Sequence, residues 1–307
     1  MPRKNLLGLT AITVSAIAFS TKAIFAKLAY RYGADAITVV TLRMVFAAPI
    51  YFIVLLAHAP SRASVKAFPA ALWKKIAFTG VVGWYASSTL DFIGLQYITA
   101  GLERVVLYSY PAIVVVLSAV IYRTRVRAIE LFALVGCYVG IFISFWSELS
   151  LQGAHTWRGT LLVLACAFTY AMYIVSGSEI ISKIGSRTFT SLALLAASIF
   201  IFIQFAVTRS FSALIQPAPV YELTAAMAII ATVIPTFLFN YGINHSGPNV
   251  AAIVSSIGPV ATIGMATTFL GETVDAAQIF GGALVIGAVL ILAMRPKTKA
   301  QETLEVE

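Results

Sequence analysis

The chain has 307 residues, of which 60% are hydrophobic and 11% are charged, and its formal net charge is +9. Soluble domains carry about 25% charged residues, so this composition excludes an ordinary soluble protein. Apolar runs of about 20 residues, the length that crosses a bilayer, follow one another and leave no room for a separate soluble domain. The positive charge lies in short loops between those runs, which is typical of membrane topology signals and not of a nucleic-acid-binding surface.

The apolar runs predict ten membrane spans joined by short loops, so that consecutive helices are antiparallel neighbours. The first run begins after Arg3 and Lys4 and continues past any signal-peptide cleavage site, which favours an uncleaved span. The predicted spans cover residues 6–30, 36–58, 75–98, 101–122, 127–147, 157–179, 188–208, 220–243, 247–270 and 275–294.

The loop charges predict the orientation of the spans. If the N-terminus is cytoplasmic, fourteen Lys and Arg residues lie on the inner side and four on the outer side. Positively charged loops stay in the cytoplasm, so both termini are expected there. Residues 295–307 are expected to form a disordered cytoplasmic tail.

One five-span unit occurs twice, at residues 6–147 and 157–294. Because each unit has an odd number of spans, the second enters the membrane from the opposite side, and inverted repeats are a known basis of alternating access. The predicted fold is an all-α integral membrane protein with ten transmembrane helices in two inverted five-helix repeats. Three residue pairs share an offset of 148 positions, namely Pro111 with Pro259, Gly94 with Gly242, and Arg123 with Gly271.

Two sequence stretches resemble the drug/metabolite transporter superfamily, EamA type. FLGE at 269–272 is typical of the end of the ninth span of that family, and GLQYITAGLERVVLYSYP at 94–111 is similar to its third-to-fourth connection. The resemblance implies a secondary transporter, and an exporter driven by proton exchange or by the solute gradient. It does not name the substrate, because the superfamily carries amino acids, purine-related compounds, nucleotide sugars and drugs.

Ionisable residues inside a membrane are costly, so each is a candidate functional residue. At about 1.5 Å per residue, five of them lie in the outer halves of the first four spans. Three are positive and two are negative, so one positive charge is left over. Either that charge binds a carboxylate or phosphate of the substrate while an acidic residue couples protons, or the five form a buried salt-bridge network that only holds the spans together. They are Lys22, Arg43, Asp91, Glu103 and Arg104.

Uncharged polar and aromatic residues complete the predicted substrate-binding set. They either line a cavity for an amphipathic solute or hydrogen-bond neighbouring helices to each other. Together with Lys22, Arg43 and Asp91, the predicted substrate-binding residues are Tyr108, Tyr170, Tyr173, Asn240 and Ser255.

Pro111 and Pro259 each remove a backbone hydrogen bond inside a span, and carbonyls freed in this way face protein or a cavity. As a symmetric pair they are expected to kink two helices beside a central path. They are predicted, with Asp91, Glu103 and Arg104, to take part in coupling or gating. A packing kink without function is the alternative.

The sequence has no Walker loop and no metal-binding spacing of His, Cys and carboxylates, so neither ATP nor a metal or other cofactor is expected. The small-xxx-small pattern of Gly136 and Gly140 suits either intramolecular packing or a dimer face, which leaves monomer and homodimer open.

The predicted function is a non-enzymatic secondary transporter in the bacterial inner membrane. It would carry a small organic solute such as an amino acid, with protons as one possible coupling ion. The first alternative is a sugar or nucleotide-sugar carrier of the same fold. The second is a membrane scaffold or lipid-handling protein that transports nothing.

Overall fold

The computed structural model describes residues 3–58, 68–121, 123, 126–246, 254–255 and 257–294. Over these ranges the chain consists of helices and short connections, without strands. Six helices are continuous, and four are divided into segments. The continuous helices are α1 (Arg3–Arg31), α2 (Ala36–His58), α5 (Ala128–Gln152), α6 (Thr156–Ile184), α7 (Ser186–Thr208) and α10 (Ala276–Ala293).

Each divided helix contains a π-helical turn or a break. α3 consists of Ala70–Gly80, a π-helical turn at Val81–Ala86, and Ser87–Gly94. α4 consists of Ala100–Leu107 and Tyr110–Ile121. α8 consists of Ala218–Ala228, a π-helical turn at Ile229–Val233, and Ile234–Ser246, and α9 consists of Ile257–Met265 and a π-helical turn at Ala266–Leu270.

Seven helices in the described ranges, α1, α2 and α4 to α8, are long and apolar enough to cross a membrane. α9 and α10 are shorter apolar helices, and with the segmented α3 the set agrees with ten spans. The beginning of the ninth predicted span, at 247–253, lies outside the described residues. Large apolar side chains such as Phe132 (69% exposed) and Val207 (80% exposed) cover the outer surface, which suits a lipid environment.

Helix packing follows the inverted repeat. α1 packs on α8 and α9, and α6, its counterpart in the second repeat, packs on α3 and α4. α2 packs on its own counterpart α7, and α5 packs on its counterpart α10. Exchange of the two repeats therefore reproduces the same set of contacts, as a two-fold axis in the membrane plane requires.

The π-helical turns of α3 and α8 occupy equivalent positions. The first begins at Val81 and the second at Ile229, and 229 − 81 gives the offset of 148 that relates the two repeats. π-helical turns are rare in proteins as a whole, and those that occur are often at functional sites. Gly83 allows a close approach at the first turn, because a Cβ atom there would lie 2.3 Å from the Cβ of Tyr173 on α6.

The glycines of α5 serve the contact between the repeats. A Cβ atom at Gly140 would lie 2.5 Å from the carbonyl oxygen of Gly281 on α10, so this crossing needs glycine. A Cβ atom at Gly136, one turn earlier, would lie 4.0 Å from the Cβ of Ala288. The small-xxx-small pattern therefore packs within the chain.

Candidate functional site

Lys22 on α1 binds two carboxylates at once. Its Nζ donates hydrogen bonds to Asp91 Oδ2 on α3 and, at 3.2 Å, to Glu103 Oε1 on α4. The Asp91 and Glu103 side chains are 3% and 0% exposed, and that of Lys22 is 14% exposed. These three residues, the ion triad, join three helices of the first repeat. The structure thus brings together three of the five predicted charges.

The ion triad still has hydrogen-bonding capacity. Asp91 Oδ1 and Glu103 Oε2 are buried and, while both groups are ionised, accept no hydrogen bond from any residue that the structure describes. The two carboxyl groups lie within hydrogen-bonding reach of each other, so a proton on one would be shared with the other. A buried polar atom without a partner is costly. Two carboxylates and one ammonium group also leave a formal charge of −1. A proton or a cationic group of a solute would donate to these oxygens and would also neutralise the excess negative charge.

The two predicted arginines bind uncharged partners. Arg104 donates from Nη2 to the Phe19 carbonyl on α1 at 2.8 Å and from Nε to Thr262 Oγ1 on α9 at 3.1 Å, which connects the two repeats. Arg43 donates to Ser88 Oγ at 3.0 Å, and its guanidinium carbon lies 4.7 Å from the centre of the Phe92 ring. A single salt-bridge network of all five charges is therefore not what the structure contains.

Three of the predicted tyrosines lie in an aromatic cluster formed by Trp84, Tyr108, Tyr110, Tyr170 and Tyr173. The ring centres of Tyr110 and Tyr170 are 5.1 Å apart, those of Trp84 and Tyr173 are 5.8 Å apart, and Tyr108 lies 6.0 Å from Tyr110. Tyr170 and Tyr173 stack at 6.0 Å. The cluster thus joins α3, α4 and α6 and offers ring faces together with phenol groups.

The aromatic cluster lies close to the ion triad. Cys166, one helical turn before Tyr170 on α6, is within electrostatic range of Lys22, Asp91 and Glu103. Trp84 belongs to the π-helical turn of α3, the helix that also carries Asp91. The aromatic cluster and the ion triad are therefore connected through α3 and α6.

Two of the cluster residues, Trp84 and Tyr110, were not predicted. Aromatic residues are frequent in apolar spans, and most of them face lipid or other helices. Residue type alone therefore does not distinguish the aromatic residues of this cluster from the others. Their neighbours could have provided a signal, because Gly83 precedes Trp84 and Pro111 follows Tyr110. Glycine and proline inside a span mark places where the helix is irregular.

Tyr108 also reaches the second repeat, because its hydroxyl lies 3.3 Å from Ser255 Oγ. Ser255 is thus placed beside the aromatic cluster. The side chain of Asn240, on α8, lies outside the described part of the structure. Its predicted contact with substrate stays a prediction.

The two symmetric prolines stand in different local settings. Pro111 is the second residue of Tyr110–Ile121, directly after the break in α4, where a helix needs no N–H at that position. α4 is therefore interrupted before Pro111, whereas the sequence predicted a kink within a continuous helix. Pro259 follows Gly258, whose carbonyl accepts a hydrogen bond of 2.9 Å from Ser20 Oγ on α1.

The fold and the site together define the class of the protein. Apolar helices in two inverted repeats, with ionisable residues held inside the bundle, are the construction of membrane transporters. The chain is a multi-pass integral membrane transporter. It belongs to the EamA-like transporter family, whose model matches residues 6–146 and 157–294, and hence to the drug/metabolite transporter superfamily. The resemblance identified from the sequence is confirmed.

Similar proteins support this assignment along nearly the whole chain. The uncharacterized transporter YcbK of Bacillus subtilis (strain 168) is 30% identical over 285 residues, which cover 91% of this chain and 90% of YcbK. An uncharacterized transporter of Archaeoglobus fulgidus is 25% identical over 292 residues, covering 92% and 95% of the two chains. A solved crystal structure with 17% identity superposes with a TM-score of 0.64 over 94% of this chain and 95% of the other, and it supports the fold alone.

Proposed function

We propose that this protein is a secondary transporter that exports a small amphipathic organic solute by alternating access. The observation that carries the proposal is the ion triad with its two unpaired carboxylate oxygens beside the aromatic cluster. An amino group of the solute would bind the carboxylates of Asp91 and Glu103, and its apolar part would lie against the aromatic rings. Amino acids and related amines have this combination of groups.

Proton coupling would use the same carboxylates. If the solute's amino group and a proton compete for Asp91 and Glu103, entry of one releases the other, which gives exchange of solute for protons. Lys22 would then hold the two carboxylates in place when neither is bound. The other charged or titratable groups around the triad are Tyr30 and Lys27 on α1, Arg43 on α2, Arg104 on α4 and Cys166 on α6.

Alternating access is supported by side-chain hydrogen bonds between the repeats, Arg104 with Thr262 and Tyr108 with Ser255, which can break when one repeat moves against the other. Movement of one repeat against the other would open the bound solute to one side and then to the other. In this proposal both termini are cytoplasmic, the protein lies in the inner membrane, and it changes no covalent bond of the solute. Monomer and homodimer are both compatible with it.

A sugar or nucleotide-sugar carrier is the second candidate from the sequence. A phosphate-bearing solute needs a cavity dominated by cations. The ion triad instead has a formal charge of −1. Arg43 and Arg104 donate to uncharged groups on other helices, and Arg43 Nε, which has no partner among the described residues, is a single donor and not such a cavity. The site therefore favours a solute with an amino group. A role as scaffold or lipid-handling protein gives the buried triad no purpose.

Flux into proteoliposomes tests the proposal. The purified protein is reconstituted with a pH gradient and offered labelled amino acids, amines, sugars and nucleotide sugars. We expect flux of a solute that carries an amino group, and we expect the exposed Lys74→Ala variant to match the unchanged protein. Flux of phosphate-bearing solutes alone would favour the second candidate. Absence of any flux from folded protein would overturn the transport mechanism.

A further inference from the structure

Two carboxylates hold the beginning of α4. Glu148 on α5 accepts hydrogen bonds from the Thr99 N–H, at 2.6 Å, and from the Thr99 hydroxyl. Glu272, two residues after α9, accepts from the Ala100 N–H at 3.0 Å and 3.1 Å and from the Gly101 N–H at 3.4 Å. A carboxylate is stabilised there, because the first N–H groups of a helix are unpaired and carry partial positive charge.

The two carboxylates differ in the repeat to which they belong. Glu148 lies in the same repeat as α4, is 3% exposed, and also accepts from Gln278 Nε2 at 3.4 Å. Glu272 lies in the second repeat, so its hydrogen bonds cross between the repeats. This end of the molecule is closed around α4, where Ala100 is fully buried. The repeats cannot separate here unless Glu272 releases the α4 N–H groups.

A second partner for Glu272 lies beside it. Glu272 and Lys27 on α1 line one cavity of about 320 Å³. Lys27 is half-buried and, among the described residues, makes neither a hydrogen bond nor an ion pair. The neighbouring Arg31 is already engaged, because it donates to the Leu270 carbonyl. Lys27 already attracts Glu272 across this cavity without a direct contact, so a carboxylate that leaves α4 would find its ammonium group without another hydrogen-bonded partner among the described residues.

The sequence has this pair of carboxylates at one end of the molecule and does not repeat it at the other. The offset of 148 places Thr124 opposite Glu272, and Pro296 opposite Glu148. No carboxylate occurs in the corresponding loops, YRTRVR at 122–127 and RPKTK at 295–299. The two ends of an inverted repeat would otherwise be equivalent, so the acidic closure is a property of one end. In the proposed orientation that is the outer end.

We propose that Glu272 is a gating residue with two alternative partners. In the closed state it binds the N–H groups of Ala100 and Gly101, and in the open state it pairs with Lys27. This inference rests on the proposed function, because it requires that the transporter has an outward-open state. It assigns a gating function to the last residue of FLGE and to Lys27, neither of which belongs to the ion triad.

Disulfide formation across the gate tests the proposal without any substrate. A Cβ atom at Gly282 on α10 would lie 3.5 Å from Val105 Cγ2 on α4, one helical turn below the gate, so cysteines at 105 and 282 come together only when this end is closed. Cys137 and Cys166, both buried, are replaced by alanine in every variant. The rate of disulfide formation in the Val105→Cys, Gly282→Cys protein, in lipid nanodiscs with a mild oxidant, measures the closed fraction.

Two variants in this background are expected to act in opposite directions. Glu272→Gln should slow disulfide formation about tenfold, as expected when a partly buried helix N-terminus loses its negative charge. Lys27→Met should accelerate it severalfold, because the open state loses its ion pair. Glu222→Gln, which neutralises an exposed carboxylate at the same end on α8, is the matched control and should leave the rate unchanged.

Each result decides the proposal. Equal rates for Glu272→Gln and Glu222→Gln would overturn it. Slower cross-linking in both Glu272→Gln and Lys27→Met would also overturn it, because Glu272 would then be a helix cap without a second partner. Opposite effects support it even if no solute is transported, in which case only the proposed function fails.

Discussion

Lys22 is the residue on which the ion triad depends. Its ammonium group is the partner of two carboxylates that are 3% and 0% exposed. If one partner of a buried ion pair is removed, the other is left as an uncompensated charge, which costs about 3–5 kcal/mol. Protonation of the carboxylates removes that charge. The consequence of losing Lys22 must therefore depend on pH.

We expect Lys22→Ala to abolish flux and to lower the melting temperature more at pH 8 than at pH 5. At the lower pH the two carboxylates take up protons more readily and need no counter-ion. Thermal unfolding of purified protein, followed by tryptophan fluorescence, provides the measurement. Lys74→Ala removes an exposed ammonium group and should have no effect at either pH. An equal loss of stability at both pH values would show that the ammonium group matters only through its packing.

Asp91 and Glu103 share one ammonium group, so they are expected to titrate as a pair. We therefore expect Asp91→Asn and Glu103→Gln each to flatten the dependence of flux on pH. Flux of an amino-group solute into proteoliposomes with fixed internal pH measures this dependence. Glu222→Gln should retain the dependence of the unchanged protein. If both triad variants retain it as well, proton coupling lies elsewhere.

From the sequence, the convergence of five charges at similar heights could be predicted, but not which of them pair. Depth along each span can be counted from the ends of the apolar runs, and it placed Lys22, Asp91 and Glu103 at similar heights. The direction in which a side chain points depends on how each helix is rotated against its neighbours. Hydropathy does not contain that rotation, so the contacts of Arg43 with Phe92 and of Arg104 with Thr262 could not be derived.

At the scale of elements, the apolar runs predicted where helices lie but not where they are interrupted. Hydropathy averages over a window longer than one turn, so a π-helical turn at Val81–Ala86 has no hydropathy signal. The break in α4 between Leu107 and Tyr110 is likewise hidden, although Pro111 lies next to it. These irregular turns carry the unpredicted aromatic residues Trp84 and Tyr110.

Gly83 tests whether the π-helical turn of α3 sets the position of the aromatic cluster. We expect Gly83→Ala to destabilise the protein by about 1–3 kcal/mol, because an added methyl group overlaps Tyr173 in a packed region. Flux should fall with it, because α6 carries both Tyr170 and Tyr173. Melting temperature and flux are measured together. Gly287→Ala on α10 is the matched control, since a Cβ atom there meets nothing within 4 Å.

The expected outcome for Gly287→Ala is a small gain in stability, since alanine is favoured over glycine in a helix by about 1 kcal/mol. If Gly83→Ala behaves in the same way, α6 can move away from α3 without cost. The close contact at the π-helical turn would then have no role in placing the aromatic rings.

For the whole molecule, the inverted repeat divides the helix contacts into two kinds. α5 with α10 and α2 with α7 are contacts between counterparts, so exchange of the two repeats maps each contact onto itself. The contacts of α1 with α8 and of α6 with α3 are instead exchanged for one another. If transport exchanges the conformations of the repeats, the contacts of α5 with α10 and of α2 with α7 can persist throughout the cycle. α4 and α9 are also counterparts, but the hydrogen bonds from α4 to Glu272 have no equivalent in the other repeat, because position 124 is threonine, so they cannot persist.

Two disulfides separate these kinds of contact. A Cβ atom at Gly136 would lie 4.0 Å from the Cβ of Ala288, within the usual disulfide range of about 3.5–4.5 Å. We expect the Gly136→Cys, Ala288→Cys disulfide between α5 and α10 to leave flux close to that of the reduced protein. The Val105→Cys, Gly282→Cys disulfide between α4 and α10, beside the gate, should stop flux, and a reductant should restore it. Flux lost with both disulfides would mean that α5 and α10 also separate during transport. The contact between these two counterparts would then not persist through the cycle.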